Sequence, residues 1–74
     1  MKALIVIDMQ KDFTTGSLAN PAAKAIVDPI AAYIRRFNGD AIIATRDTHH
    51  ADYLDTYEGQ NLPVEHCVYD TEGW

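Results

Sequence analysis

Two short apolar runs, Ala3–Ile7 and Ala41–Thr45, constrain this chain more than any other feature in it. Both are rich in β-branched residues and free of charge, and their length suits strands buried on both faces, as in a parallel sheet. Parallel neighbours need a crossover of about a dozen residues or more, and the intervening chain supplies one. Asp28-Pro29 offers an N-cap followed by proline at the first helical position, where a missing N–H costs nothing. Ile30, Tyr33, Ile34 and Phe37 then recur at helical spacing, and Asn38-Gly39 supplies the stop. Asn20-Pro21 opens an earlier helical turn through Val27, which Pro29 separates from the main helix. Strand, crossover helix and strand make a βαβ unit, with parallel strands and a right-handed connection.

The remaining segments read as loop. Met9 to Asn20 holds Thr14, Thr15, Gly16, Ser17 and Asn20. Asp47 to Glu58 is polar and mixed, Gly59, Asn61 and Pro63 extend the loop, and Val64 and Val68 flank His66-Cys67. One crossover helix covers one face of a parallel pair and leaves the other bare, whereas such sheets are normally covered on both faces. The expectation is a fragment: residues 1–74 forming the N-terminal part of a single, longer α/β domain.

Composition excludes several function classes. Hydrophobic residues at 47% and charged residues at 23% indicate a globular chain. The net charge is −5 and the six basic residues are scattered, so there is no basic footprint for nucleic acid and no attraction to an anionic membrane. No apolar run is long enough to span a bilayer, and a single cysteine, Cys67, rules out an internal disulfide framework. A cytoplasmic location is expected.

In open α/β sheets, ligands bind beyond the carboxyl ends of the strands. Asp8 directly follows the first apolar run and Asp47 closely follows the second. Either alone could cap a turn; together they bring two carboxylates to one rim. Asp47 and His49 stand two apart, so in extended backbone both project the same way. His66 adds a second imidazole from across the loop, and Asp52, Asp55 or Glu58 could complete a shell. Two histidines with carboxylates suit zinc, iron or manganese. His50 points the other way and reads as a loop imidazole. Cys67 does not form a dyad with His66, because adjacent side chains diverge; beside Val68 it reads as a packed thiol.

Ile5-Val6-Ile7-Asp8-Met9-Gln10-Lys11-Asp12-Phe13, followed by Gly16-Ser17-Leu18, resembles the opening signature of the isochorismatase-like cysteine hydrolases. Thr45-Arg46-Asp47-Thr48-His49 and Leu62-Pro63-Val64-Glu65-His66-Cys67-Val68 are similar to the metal-loop motifs of the nicotinamidase branch. The resemblance implies a Rossmann-like three-layer parallel sheet, of which this chain supplies the first βαβ unit and the metal loop. It implies an Asp–Lys–Cys catalytic triad in which Asp8 is the Asp; the lysine and nucleophilic cysteine match no residue here, since Lys11, Lys24 and Cys67 fall at other places in the pattern. It implies a divalent metal, zinc first with iron or manganese as alternatives, held by Asp47, His49, His66 and, where many members have another histidine, Glu58. Phe13 and Gln10 are the implied substrate-facing residues. A tryptophan common before the second metal histidine is replaced by Leu62 and Pro63. The implied substrate is a small-molecule amide, nicotinamide foremost, and family members commonly form homo-oligomers. Two other readings stay open: another hydrolase of the same superfamily, or a non-catalytic truncated remnant or metal-binding module.

Overall fold

The computed structural model describes all of residues 1–74. Strand β1 (Ala3–Val6) leads through the one-turn helix α1 (Lys11–Thr14) to α2 (Pro21–Ala25) and α3 (Val27–Arg36), and the chain returns as β2 (Ala41–Ala44). A 3-10 turn at Tyr53–Asp55 and the short helix α4 (Tyr57–Asn61) follow. β1 and β2 pair in parallel, with Ala3 opposite Ala41 and Val6 opposite Ala44. This is the expected βαβ arrangement, an α/β unit. No helix is long and apolar enough to cross a membrane.

The crossover differs from expectation in where it breaks. Asn20 caps α2, its side chain accepting from the amides of Ala22 and Ala23 with Pro21 at the start, as that dipeptide suggests. The interruption falls at Ile26, which serves as N-cap of α3 without a side-chain bond. Asp28 and Pro29 therefore lie inside the first turn of α3, not at its boundary. The first four amides of a helix have no intrahelical partner, so proline in this turn removes no hydrogen bond. Asp28 there faces the positive end of the helix dipole.

The loops also hold more helix than their polarity suggests. α1 occupies a stretch expected to be irregular, and α4 follows the Thr56 N-cap, whose hydroxyl accepts from the Gly59 amide at 3.0 Å. Gly59 is buried. A Cβ at this position would meet the Tyr53 carbonyl and come within 2.8 Å of Leu54 Cα, so glycine is what lets α4 lie directly on the 3-10 turn.

Buried side chains gather away from the sheet. The buried residues are Gln10, Tyr53, Gly59, His66 and Cys67, and all of them lie beyond the strand ends. In β1, Leu4 and Val6 are half-buried, while Ile5 and Ile7 on the other face are 57% and 67% exposed. An apolar groove of about 230 Å³ runs between β1 and α3, lined in part by Leu4, Val6, Ile30 and Ile34. The strand starts are tied by a reciprocal pair: the Lys2 amide donates to Asp40 Oδ2 at 2.7 Å and the Asp40 amide to the Lys2 carbonyl at 2.7 Å. Gly59→Ala in the longest natural form of the protein should cost about 1–3 kcal/mol of stability through overpacking. An unchanged urea midpoint would show that α4 can move off the turn at no cost.

Candidate metal centre

Beyond the strand ends, the ladder continues through side chains. The Thr45 amide donates to the Val6 carbonyl at 2.8 Å. The Thr45 hydroxyl then accepts from the Asp8 amide at 3.0 Å and donates to Asp8 Oδ1 at 2.7 Å. Asp8 adopts a left-handed backbone with φ 50°, a conformation aspartate tolerates better than most residues. Its second carboxylate oxygen makes no hydrogen bond. Because the strands run parallel, Asp8 and Asp47 leave the sheet at the same rim.

Gln10 fastens the two exits together. Its amide oxygen accepts from the Asp47 amide at 2.9 Å and its Nε2 donates to the Asp47 carbonyl at 2.9 Å, and also to the Trp74 carbonyl at 3.0 Å. Every polar atom of this buried side chain is thus engaged with backbone. The expected substrate-facing partner, Phe13, is half-buried, with its ring centroid 5.7 Å from that of His66.

The His66 segment is carried to the rim by a short parallel bridge between His49 and Val68. The His49 amide donates to the Cys67 carbonyl at 2.9 Å and the Tyr69 amide to the His49 carbonyl at 2.8 Å. Asp12 anchors the same segment from the other side, accepting from the Cys67 amide at 2.7 Å. This holds Cys67 at φ 49°.

The result is a compact donor set. Asp47, His49 and His66 offer ligand atoms within 4.8 Å of one another, a group that could hold a metal ion. Glu58 joins them: His49 Nε2 lies 3.2 Å from Asp47 Oδ2 and 3.3 Å from Glu58 Oε2, and His66 Nε2 lies 3.4 Å and 3.5 Å from the same two oxygens. Two ligands at about 2.0–2.1 Å from one small divalent ion stand about 3.3–3.4 Å apart, and each of these four nitrogen–oxygen separations is of that size. The tautomer fits as well. His66 Nδ1 lies 2.8 Å from the Val64 carbonyl, an acceptor, so Nδ1 carries a hydrogen and Nε2 is the ring nitrogen turned toward the two carboxylates. Of the acidic candidates in this loop, Glu58 pairs with both imidazoles, whereas Asp52 and Asp55 pair with neither. His50 is exposed, 6.1 Å from the Tyr69 ring.

Two residues of this region were not singled out by sequence. Asp12 lies four positions after Asp8 in a loop-like stretch, and nothing in its spacing marks its reach to Cys67. Tyr53 is wholly buried, its ring set edge-on at 4.7 Å from His49 and 5.1 Å from His66. An aromatic residue inside a polar stretch was the available signal. Burial, then the hydrogen bond and charge of Glu58 and the charge of Asp47, push the Tyr53 phenol above its ordinary value, so it stays a hydroxyl.

Cys67 is wholly buried. Burial first, and then the carboxylates of Asp47, Asp12 and Asp8 against an opposing Arg46, raise its thiol to about 11. A nucleophile needs the thiolate, so this cysteine is a packed thiol. Lys11 pairs only with Glu72, at 3.4 Å, on the surface.

The sequence profile of a family described as the isochorismatase domain matches residues 2–74. The chain is also 38% identical over 58 residues to a nicotinamidase of Saccharomyces cerevisiae, a match covering 73% of this chain and 27% of that relative. It therefore spans about a quarter of that relative's length. No solved structure matches it.

The thiol makes a pH prediction. The folded state holds the Cys67 proton to about 11, the unfolded chain only to its ordinary 9.0. Between those values the unfolded state binds fewer protons, so stability falls as pH rises. Wild type should lose stability over that window more steeply than Cys67→Ala, measured as urea midpoints. Parallel pH profiles for the two proteins would refute it.

Proposed function

Because the chain belongs to the isochorismatase family, we propose that it supplies the metal-binding and acid–base portion of a nicotinamidase-like amidohydrolase. The single observation supporting this most strongly is the four-donor cluster of Asp47, His49, Glu58 and His66, whose nitrogen–oxygen separations of 3.2–3.5 Å suit a small divalent ion. Two imidazoles and two carboxylates make a borderline donor set that takes zinc first, with iron and manganese as alternatives. Such an ion, when bound, supplies a Lewis-acidic anchor for a ring nitrogen of the substrate. In this reading the domain is a three-layer Rossmann-like sheet in a cytoplasmic protein, self-association is its expected quaternary state, and residues 1–74 are its N-terminal part.

The substrate is a small carboxamide, nicotinamide foremost, and the products are the carboxylic acid and ammonia. The reaction proceeds through a thioester. A cysteine thiol that matches none of these 74 residues, assisted by a lysine that also matches none, gives up its proton to Asp8 and attacks the carboxamide carbon. Asp8 passes that proton to the departing nitrogen, which leaves as ammonia when the C–N bond breaks. Water then adds to the thioester with Asp8 again as base, the C–S bond breaks, and the proton returns to sulfur. The Thr45 hydroxyl bond to Asp8 Oδ1 leaves the other oxygen free for this transfer. Phe13 lines the pocket against His66, and Gln10 holds the rim on which the substrate rests. These 74 residues alone do not turn over substrate.

Two substitutions in the longest natural form separate the roles. Asp8→Asn should lower ammonia release from nicotinamide by about 10²-fold or more while leaving bound metal unchanged; near-normal turnover would remove Asp8 from the mechanism. His49→Ala should strip the metal. A metal-to-protein ratio unaltered by that change, in elemental analysis, would count against this ligand set.

A further inference from the structure

Of the four proposed ligands, Glu58 is the one least held by its surroundings. Its side chain is 53% exposed, against 30% for Asp47, 16% for His49 and 4% for His66. A long, exposed carboxylate ordinarily samples many rotamers, yet Glu58 Oε2 stands within 3.5 Å of both imidazoles. Besides the two imidazoles, the side chain that reaches this oxygen is Tyr53.

The Tyr53 hydroxyl lies 3.2 Å from Glu58 Oε2 and 2.8 Å from the Leu62 carbonyl. Glu58 sits in the first turn of α4 and Leu62 is its C-cap, so one hydroxyl spans the helix that delivers the carboxylate. The same residue's backbone carbonyl lies where Gly59 packs closest. Its ring is wedged edge-on against both imidazoles. Tyr53 thus meets Glu58, His49 and His66 at once.

We infer that Tyr53 is a positioning residue that fastens α4 and fixes Glu58 as the fourth donor, adding a second carboxylate to the three-donor site of Asp47, His49 and His66. The inference depends on the metal-site reading above. Groups that orient metal ligands typically change affinity by about 10–100-fold when removed.

The test is competition for zinc between a chromophoric chelator and the longest natural form of the protein, as wild type, Tyr53→Phe, Glu58→Gln and the double variant. Tyr53→Phe keeps the ring and its packing and removes only the hydroxyl. Wild type should bind one zinc per chain, and Tyr53→Phe should bind it about 10-fold more weakly, with circular dichroism unchanged. The double variant should match Glu58→Gln to within about twofold, because the hydroxyl acts through that carboxylate. Wild-type affinity in Tyr53→Phe, or a loss that adds in full to that of Glu58→Gln, would overturn the positioning role while leaving the metal site standing. A wild-type protein that takes up no zinc would sink the metal reading itself, and this inference with it. Should Tyr53→Phe not fold, Gly59→Ala carries the test. It contributes no donor but pushes α4 off the Tyr53 backbone, so zinc affinity should fall; wild-type affinity in a folded Gly59→Ala protein overturns the inference.

Discussion

The Gln10 side chain holds together the rim at which the two strands end. A single primary amide meets both the N–H and the C=O of Asp47 at 2.9 Å, as a neighbouring strand would. It extends the pairing of β1 and β2 past the point where the backbones diverge. Buried and fully engaged, it fixes the height and direction at which Asp47 leaves the sheet. Its loss would leave the half-buried amide and carbonyl of Asp47 without these partners. From that fixed residue follow the placement of His49 two positions on, the parallel bridge to Val68, and so the arrival of His66.

Packing in this chain is therefore organised around polar chemistry, not around its apolar strands. The wholly buried side chains are Tyr53 and Cys67, and both lie beside the donor cluster. Tyr53 insulates one flank and Cys67 lies behind His66, its amide held by Asp12 at 2.7 Å. Low local polarity strengthens the interactions of the charged groups it surrounds. It also keeps the thiol protonated, so the one cysteine present does not compete as a nucleophile.

Much of this was legible from the residues. The parallel pairing of the two apolar runs followed from their lack of alternation, and the convergence of Asp47, His49 and His66 from spacing and from resemblance to the metal loop. Spacing left Asp52, Asp55 and Glu58 equally open, and the approach of Glu58 to both imidazoles is a tertiary fact that spacing does not encode. The break at Ile26 was hidden because proline marks a boundary only when its missing N–H matters, and in a first helical turn it does not. α4 was hidden because its stabilisation is tertiary: Gly59 is a poor helix former, used there for close approach to Tyr53 and not for propensity. The roles of Gln10 and Asp12 as backbone braces could not be read either, because the partners lie 37 and 55 residues away and no local pattern encodes them.

The uncovered sheet face has a practical consequence. With only two strands, β1 and β2 each present an unpaired edge, and Ile5, Ile7, Ile42 and Ile43 are all more than half exposed. Unpaired edges flanked by aliphatic side chains are templates for intermolecular strand addition. For these 74 residues handled in isolation, self-association through those edges is the expected route to aggregation. A net charge of −5 is then the main repulsion that keeps neighbouring molecules apart, and salt, by screening it, brings them together.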